Sequence, residues 1–191
     1  MLTIQARKED VESVNNHMPI RIYAQPIGWM LAEVVLFPVL WGLLTSLASR
    51  KSANKILNAV LLLVAIYAIL HITLLDRSAG ERVDILRPPF KLLQKAWSEN
   101  REIFRSLFLN VLLFEPMGAA LVHLLPDKWS WRVRIMTTVL IGLAASLTIE
   151  YCQFRYSLGN AEADDVICNT LGALIGALSL PMKECFDRRK G

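Results

Sequence analysis

Five stretches of this chain, each about 20 residues long, are nearly free of charge, and the charged residues gather in short clusters between them. A bilayer's hydrocarbon core is about 30 Å thick, so a helix needs about 20 apolar residues to cross it, and a charge inside such a run is costly. The pattern therefore predicts an all-α, polytopic membrane helix bundle of about five spans. Composition agrees: of 191 residues, 54% are hydrophobic and 20% charged, and the mean hydropathy is +0.39. An ordinary soluble domain is less apolar.

The expected spans are Gly28 to Ser49, Ile56 to Leu75, Ile103 to Leu125, Val133 to Phe154 and a short one from Val166 to Met182. Residues 1–27 form a polar N-terminal segment, residues 28–182 the membrane domain, and residues 183–191 a basic tail. No basic stretch leads directly into an apolar run with a small-residue cleavage site, so no cleaved signal peptide is expected. Between the second and third spans, Phe90, Leu93 and Trp97 follow Pro88 and Pro89 at helical spacing, with polar residues between them. That spacing predicts a short amphipathic helix lying in the outer interface, or packed on the end of the bundle.

The sequence pI of about 9.1 does not point to nucleic acid, because the basic residues bracket apolar runs and membrane topology accounts for them. Lysines and arginines divide ten and ten between the two sides of the membrane. On the side holding the 50–55 and 126–134 loops and the C-terminal tail, they crowd helix ends against only Asp127, Glu184 and Asp187. The other side sets eleven acids against its ten bases. The basic side is therefore expected in the cytoplasm, with the N-terminus and the 155–165 loop outside. Three cysteines, Cys152, Cys168 and Cys185, fit neither a zinc pattern nor a disulfide framework. No metal and no cofactor is expected, and the oligomeric state is not encoded in any pattern.

The informative residues are the polar ones at membrane depth. In that topology Asn110 lies about 10 Å below the outer end of the third span. Ser146, Glu150 and Gln153 share one face of the fourth span, and Asp165, Asn169, Gly172 and Gly176 share one face of the fifth. His71 and Arg77 close the outer end of the second span. These stripes reach one leaflet, and polar groups at that depth face a bundle interior or wet cavity. The pattern predicts an outward-opening polar pocket made of Arg77, Asn110, Ser146, Glu150, Gln153, Asp165 and Asn169.

Each residue also has a plain structural role. Glu150 can pair with Arg155 or Arg77 and hold helices together. Asp165, placed just before the last span, is expected to cap it as well as line the pocket. Asn110 and Asn169 can act as interhelical glue, worth about 1 kcal/mol each. Gly172 and Gly176 predict close helix packing. Glu115, beside Pro116 near mid-membrane, suits a hydrated kink, and Glu33 is near enough to the surface to snorkel. His71 and His123 read as packing histidines.

The runs FLNVLLFEPMG (108–118) and SLTIEYCQFRYSLGNAEADDVICNTLGALIG (146–176) resemble the two signatures of VanZ-like proteins. TLLDR (73–77), RPPF (87–90) and WSENREI (97–103) resemble the same family in the expected order. Two departures stand out: Glu115 occupies a position usually apolar in the family, and Gly159 to Ala163 carries no arginine before the acidic pair. The resemblance implies a role at the bacterial cell envelope, in the cytoplasmic membrane, and a link to lowered susceptibility to teicoplanin-type glycopeptides.

Three functional readings follow. The first is a binder of an amphiphile at the outer leaflet, either a membrane lipid, a lipid-linked cell-wall precursor or a glycopeptide antibiotic, with Arg77 suited to a phosphate. The second is an enzyme on such a headgroup, with Glu150 as general base and Asp165 as acid. No Ser/His pair, histidine-rich set or zinc motif supports it. The third is a small transporter through Glu115 and His123, which with five spans would need an oligomer.

Overall fold

The structure is a computed structural model and describes residues 27–48, 50–77, 90, 101–158 and 162–189. It is built of α1 (Ile27–Leu47), α2 (Lys51–Leu70) continued by one π-helical turn (His71–Leu75), α3 (Arg101–Leu124), α4 (Trp131–Tyr156), α5 (Ala163–Ala177) and α6 (Ser179–Arg188). No strand occurs among the described residues. Four helical stretches are long and apolar enough to cross a membrane: Lys51–Leu75, Ile103–Leu124, Trp131–Tyr156 and Ala163–Arg188. The part of α1 from Leu31 to Leu47 adds a shorter apolar helix. The chain is a multi-helix membrane protein, as the apolar runs predict.

Several helices extend past those runs into polar sequence. α2 takes in Lys51 to Lys55, and α6 carries the chain to Arg188. Backbone hydrogen bonds cost nothing extra where the helix end meets headgroups and water, so the apolar run marks lipid contact and not the helix limit. The last span is broken in one place. Pro181 has no N–H to offer the carbonyl of Ala177, four residues back, and the helix steps from α5 to α6 at Leu178.

α3 and α5 make the most extensive helix contact, and glycine is the reason. A Cβ on Gly172 would strike the Val111 carbonyl, one on Gly176 the Glu115 carbonyl, and one on Gly118 the Ala173 carbonyl. Backbones this close are reached only by residues without side chains. Around the crossing, Phe114, Met117, Ile149 and Ala173 pack with Ala65 and Ile69 of α2 to form the main apolar core. On α6, the backbone at Ser179 approaches Gly42 of α1, where a Cβ would lie 2.7 Å from the Ser179 carbonyl.

The outer ribs are apolar and uncovered. Leu63 is 68% exposed, and Val60, Leu140 and Leu147 are exposed beside it or on α4. In water such a surface would drive association; in lipid it is the expected solvent-facing side.

Of the amphipathic helix expected from Phe90 to Trp97, only Phe90 is described. It is exposed and has φ 66°, outside the helical region, so a helix cannot include it. The remainder of that segment and the polar stretch 1–26 lie outside the described residues.

Candidate functional site

The site grows from how four helix ends meet. The π-helical turn closes α2 with Asp76 N–H donating to the His71 carbonyl at 2.9 Å. A helix end leaves its last carbonyls without intrahelical partners, and the Thr73 carbonyl instead accepts Nε2 of Gln153 at 3.0 Å. That bond ties α2 to α4 inside the bundle, where Gln153 is only 2% exposed.

α4 ends at Ser157, whose φ of 55° puts it in the left-handed region. The Leu158 N–H turns back to the Gln153 carbonyl at 2.9 Å, a helix-ending arrangement that satisfies an orphan carbonyl. Arg77 Nη1 donates to the Leu158 carbonyl at 3.4 Å. The chain then returns into α5, and its Glu162 N–H donates to Glu150 Oε2 at 2.9 Å.

That capture corrects the expectation that Asp165 caps the last span. Glu162 is the capping position, and Asp164 and Asp165 lie in the first turn of α5. The helix begins earlier because Glu150 holds the Glu162 N–H while the Glu162 carbonyl accepts the Asp165 N–H at 3.1 Å. Carboxylates in a first turn still suit the positive end of the helix dipole. Asp165 accepts a side-chain hydrogen bond from Asn110 of α3. One turn further on, Asn169 Nδ2 donates to Ser146 Oγ at 2.9 Å, joining α5 to α4.

All seven predicted site residues thus belong to one end of the bundle. Ser146, Glu150, Gln153 and Asn169 are buried; Asn110 and Asp165 are half-buried, and Arg77 is exposed. Glu150 lies within electrostatic reach of Asp165 and Arg77, and Asp165 within reach of Arg77. Arg155, the other expected partner of Glu150, is instead exposed, with its guanidinium 5.9 Å from the Tyr156 ring centroid.

Sequence reasoning missed Asp164. It is 3% exposed and its Oδ1 accepts the Phe90 N–H at 2.5 Å, tying Phe90 to the first turn of α5. Its place beside Asp165 was the available signal. The part played by the Thr73 and Leu158 carbonyls had none, since every residue carries a carbonyl.

The cluster's chemistry is rich in acceptors. Glu150 and Asp165 both lie within electrostatic reach of Arg77 and of Glu162, and Asp164 lies within reach of Asp165. Gln153 Oε1 and Asn169 Oδ1 are buried with no hydrogen-bond donor from the protein. A buried acceptor left unpaired costs about 1–3 kcal/mol, so both positions favour an incoming hydroxyl, amine or water. No group of three His, Cys, Asp or Glu side chains among the described residues is arranged to hold a metal.

The other residues weighed from the sequence fall outside this cluster. Glu115 is 1% exposed, with Oε1 unpaired, and shares a mostly apolar groove with Glu33, Phe37, Leu40 and Pro116. His123 meets Ser179 Oγ at 3.2 Å near the opposite end, and the His71 ring lies tilted against Tyr67, with centroids 5.6 Å apart.

A family model described as VanZ/LLP1 matches residues 71–184, a range that contains every residue of the cluster. No curated protein and no solved structure matches the chain.

Proposed function

The chain belongs to the VanZ/LLP1 family, and from that premise we propose that it binds the headgroup of an amphiphile at the outer face of the bacterial cytoplasmic membrane. The amphiphile is a membrane lipid, a lipid-linked cell-wall precursor or a glycopeptide-type antibiotic, and binding lowers glycopeptide susceptibility. The observation that carries this reading is the pair of unpaired acceptors, Gln153 Oε1 and Asn169 Oδ1, beside the carboxylates of Glu150 and Asp165. Donor groups on a sugar, an amine or a polyol would satisfy them. Arg77, exposed at the same end, is suited to a phosphate or carboxylate on the same headgroup. The acyl chains would lie along the apolar ribs of α4 and α5.

Chemistry on the headgroup is the second reading, supported by Glu150 and Asp165 lying within electrostatic reach of one another. Two carboxylates in different surroundings are the usual material of acid–base work.

The test is glycopeptide susceptibility in cells carrying the wild type, Glu150→Ala or Asp165→Ala, with membrane content checked by immunoblot. Both variants should reach the membrane and lose the protection the wild type gives. Protection retained by both removes the cluster from the function. Incubating purified protein with a bacterial lipid extract separates the readings: a changed lipid mass indicates turnover, and lipid retained unchanged indicates binding.

A further inference from the structure

The end of the bundle opposite the acidic cluster holds a cavity of about 200 Å³, and its walls are basic. Lys51 and Lys55 enter from the start of α2, Arg134 from the start of α4, Lys183 from α6 and His123 from the end of α3. Basic residues at membrane edges are ordinary, and by themselves they mark only topology. Here the arrangement differs in two ways. Arg134 and His123 are each 8% exposed, so a guanidinium and an imidazole are held inside the protein and not spread on its rim. They also line a concavity.

The local charge is not cancelled. Lys183 is paired with Asp187 at 2.5 Å. Arg134 donates Nε to the Val122 carbonyl at 3.0 Å and meets Asp127, whose side chain is 60% exposed, only at 3.8 Å. Glu184 is the other carboxylate on the wall. Four cations therefore face two wall carboxylates, with Asp187 behind one of them. α2 adds to the imbalance: its first turn has no acidic residue, and its N-cap, Arg50, makes no side-chain capping bond. Cations at the positive end of a helix dipole are unfavourable unless an anion sits among them.

We propose that this cavity binds a phosphate-type anion, presented in the membrane by the headgroup of an anionic phospholipid. Basic pockets between helices at the membrane surface are suited to such headgroups, and Ile56 and Val60 of α2, both more than half exposed, give its acyl chains an apolar wall. This site is separate from the cluster around Glu150 and does not depend on its function.

The experiment titrates detergent-purified protein with short-chain phosphatidylglycerol, short-chain phosphatidylcholine and inorganic phosphate, using native mass spectrometry. Phosphatidylglycerol is expected to bind at least tenfold tighter than phosphatidylcholine. The double variant Lys51→Gln/Lys55→Gln, altered only at exposed positions, should weaken phosphatidylglycerol by tenfold or more. Lys128→Gln, an exposed charge loss outside the cavity, should leave it unchanged. Inorganic phosphate competing at equal concentration supports the anion site but assigns it to a soluble ligand. Equal binding of the two lipids, an unaffected double variant or an equal loss in Lys128→Gln overturns the proposal.

Discussion

Glu150 Oε2 accepts the backbone N–H of Glu162 at 2.9 Å, so a carboxylate near the end of α4 sets where α5 begins. The bond ties the end of α4 to the residue before α5, next to Asp164 and Asp165 in the first turn of α5. Removing the acceptor leaves a half-buried N–H unpaired, at a cost of about 1–3 kcal/mol. Glu150→Ala should therefore lower the thermal unfolding midpoint in detergent, followed by tryptophan fluorescence. Glu150→Gln keeps an oxygen acceptor and should lose less. Equal midpoints for wild type and Glu150→Ala would show that the bond does not hold the start of α5.

The α3–α5 crossing depends on glycine at three positions. A Cβ on Gly118, Gly172 or Gly176 would run into backbone, not into a side chain that could turn aside. Overpacking of this kind costs about 1–3 kcal/mol or more. Gly172→Val and Gly176→Val are each expected to reduce the yield of monodisperse protein in size-exclusion chromatography. Ala144→Val, on the exposed side of α4, should not.

Glu115 should be a stability liability. It is 1% exposed, Oε1 has no donor, and another carboxylate, Glu33, acts on it electrostatically. Replacing an unsatisfied buried carboxyl with an apolar group of similar size removes its desolvation cost. Glu115→Met is predicted to raise the unfolding midpoint, by the equivalent of about 1–3 kcal/mol. A lower midpoint would mean that Glu115 has a partner in the membrane.

Much of this was legible in the sequence, and the failures have physical causes. Apolar runs announced the spans because lipid tolerates little else, but they placed helix ends two to five residues short at Ile56, Val133 and Val166, where polar residues continue the hydrogen-bond ladder. The polar stripes named residues on three helices that meet at one end, because hydrocarbon would reject each alone. Their partners were less visible. Gln153 binds a backbone carbonyl, and Glu150 a backbone N–H, groups that no residue type advertises. Asp165 was misread as a cap because the first apolar residue, Val166, hid the fact that the helix already starts at Ala163.

Orientation is checked by cysteine labelling. On a background with Cys152, Cys168 and Cys185 replaced, Ser157→Cys and Ser52→Cys are exposed in whole cells to a membrane-impermeant thiol reagent. Position 157 should label and position 52 should not. The reverse pattern would turn the molecule over and place the acidic cluster in the cytoplasm.

The account rests on acidic and amide side chains from separate helices serving as a headgroup site. The most direct measurement is native mass spectrometry of the protein released from nanodiscs of bacterial polar lipid, comparing wild type with Gln153→Leu and Asp165→Asn. Beyond the anionic phospholipid of the basic cavity, the wild type should retain a second lipid of one headgroup class, and both variants should lose that second lipid while remaining folded. Equal retention of the second lipid by all three proteins, or a second lipid that follows the bulk mixture without preference, would contradict the account.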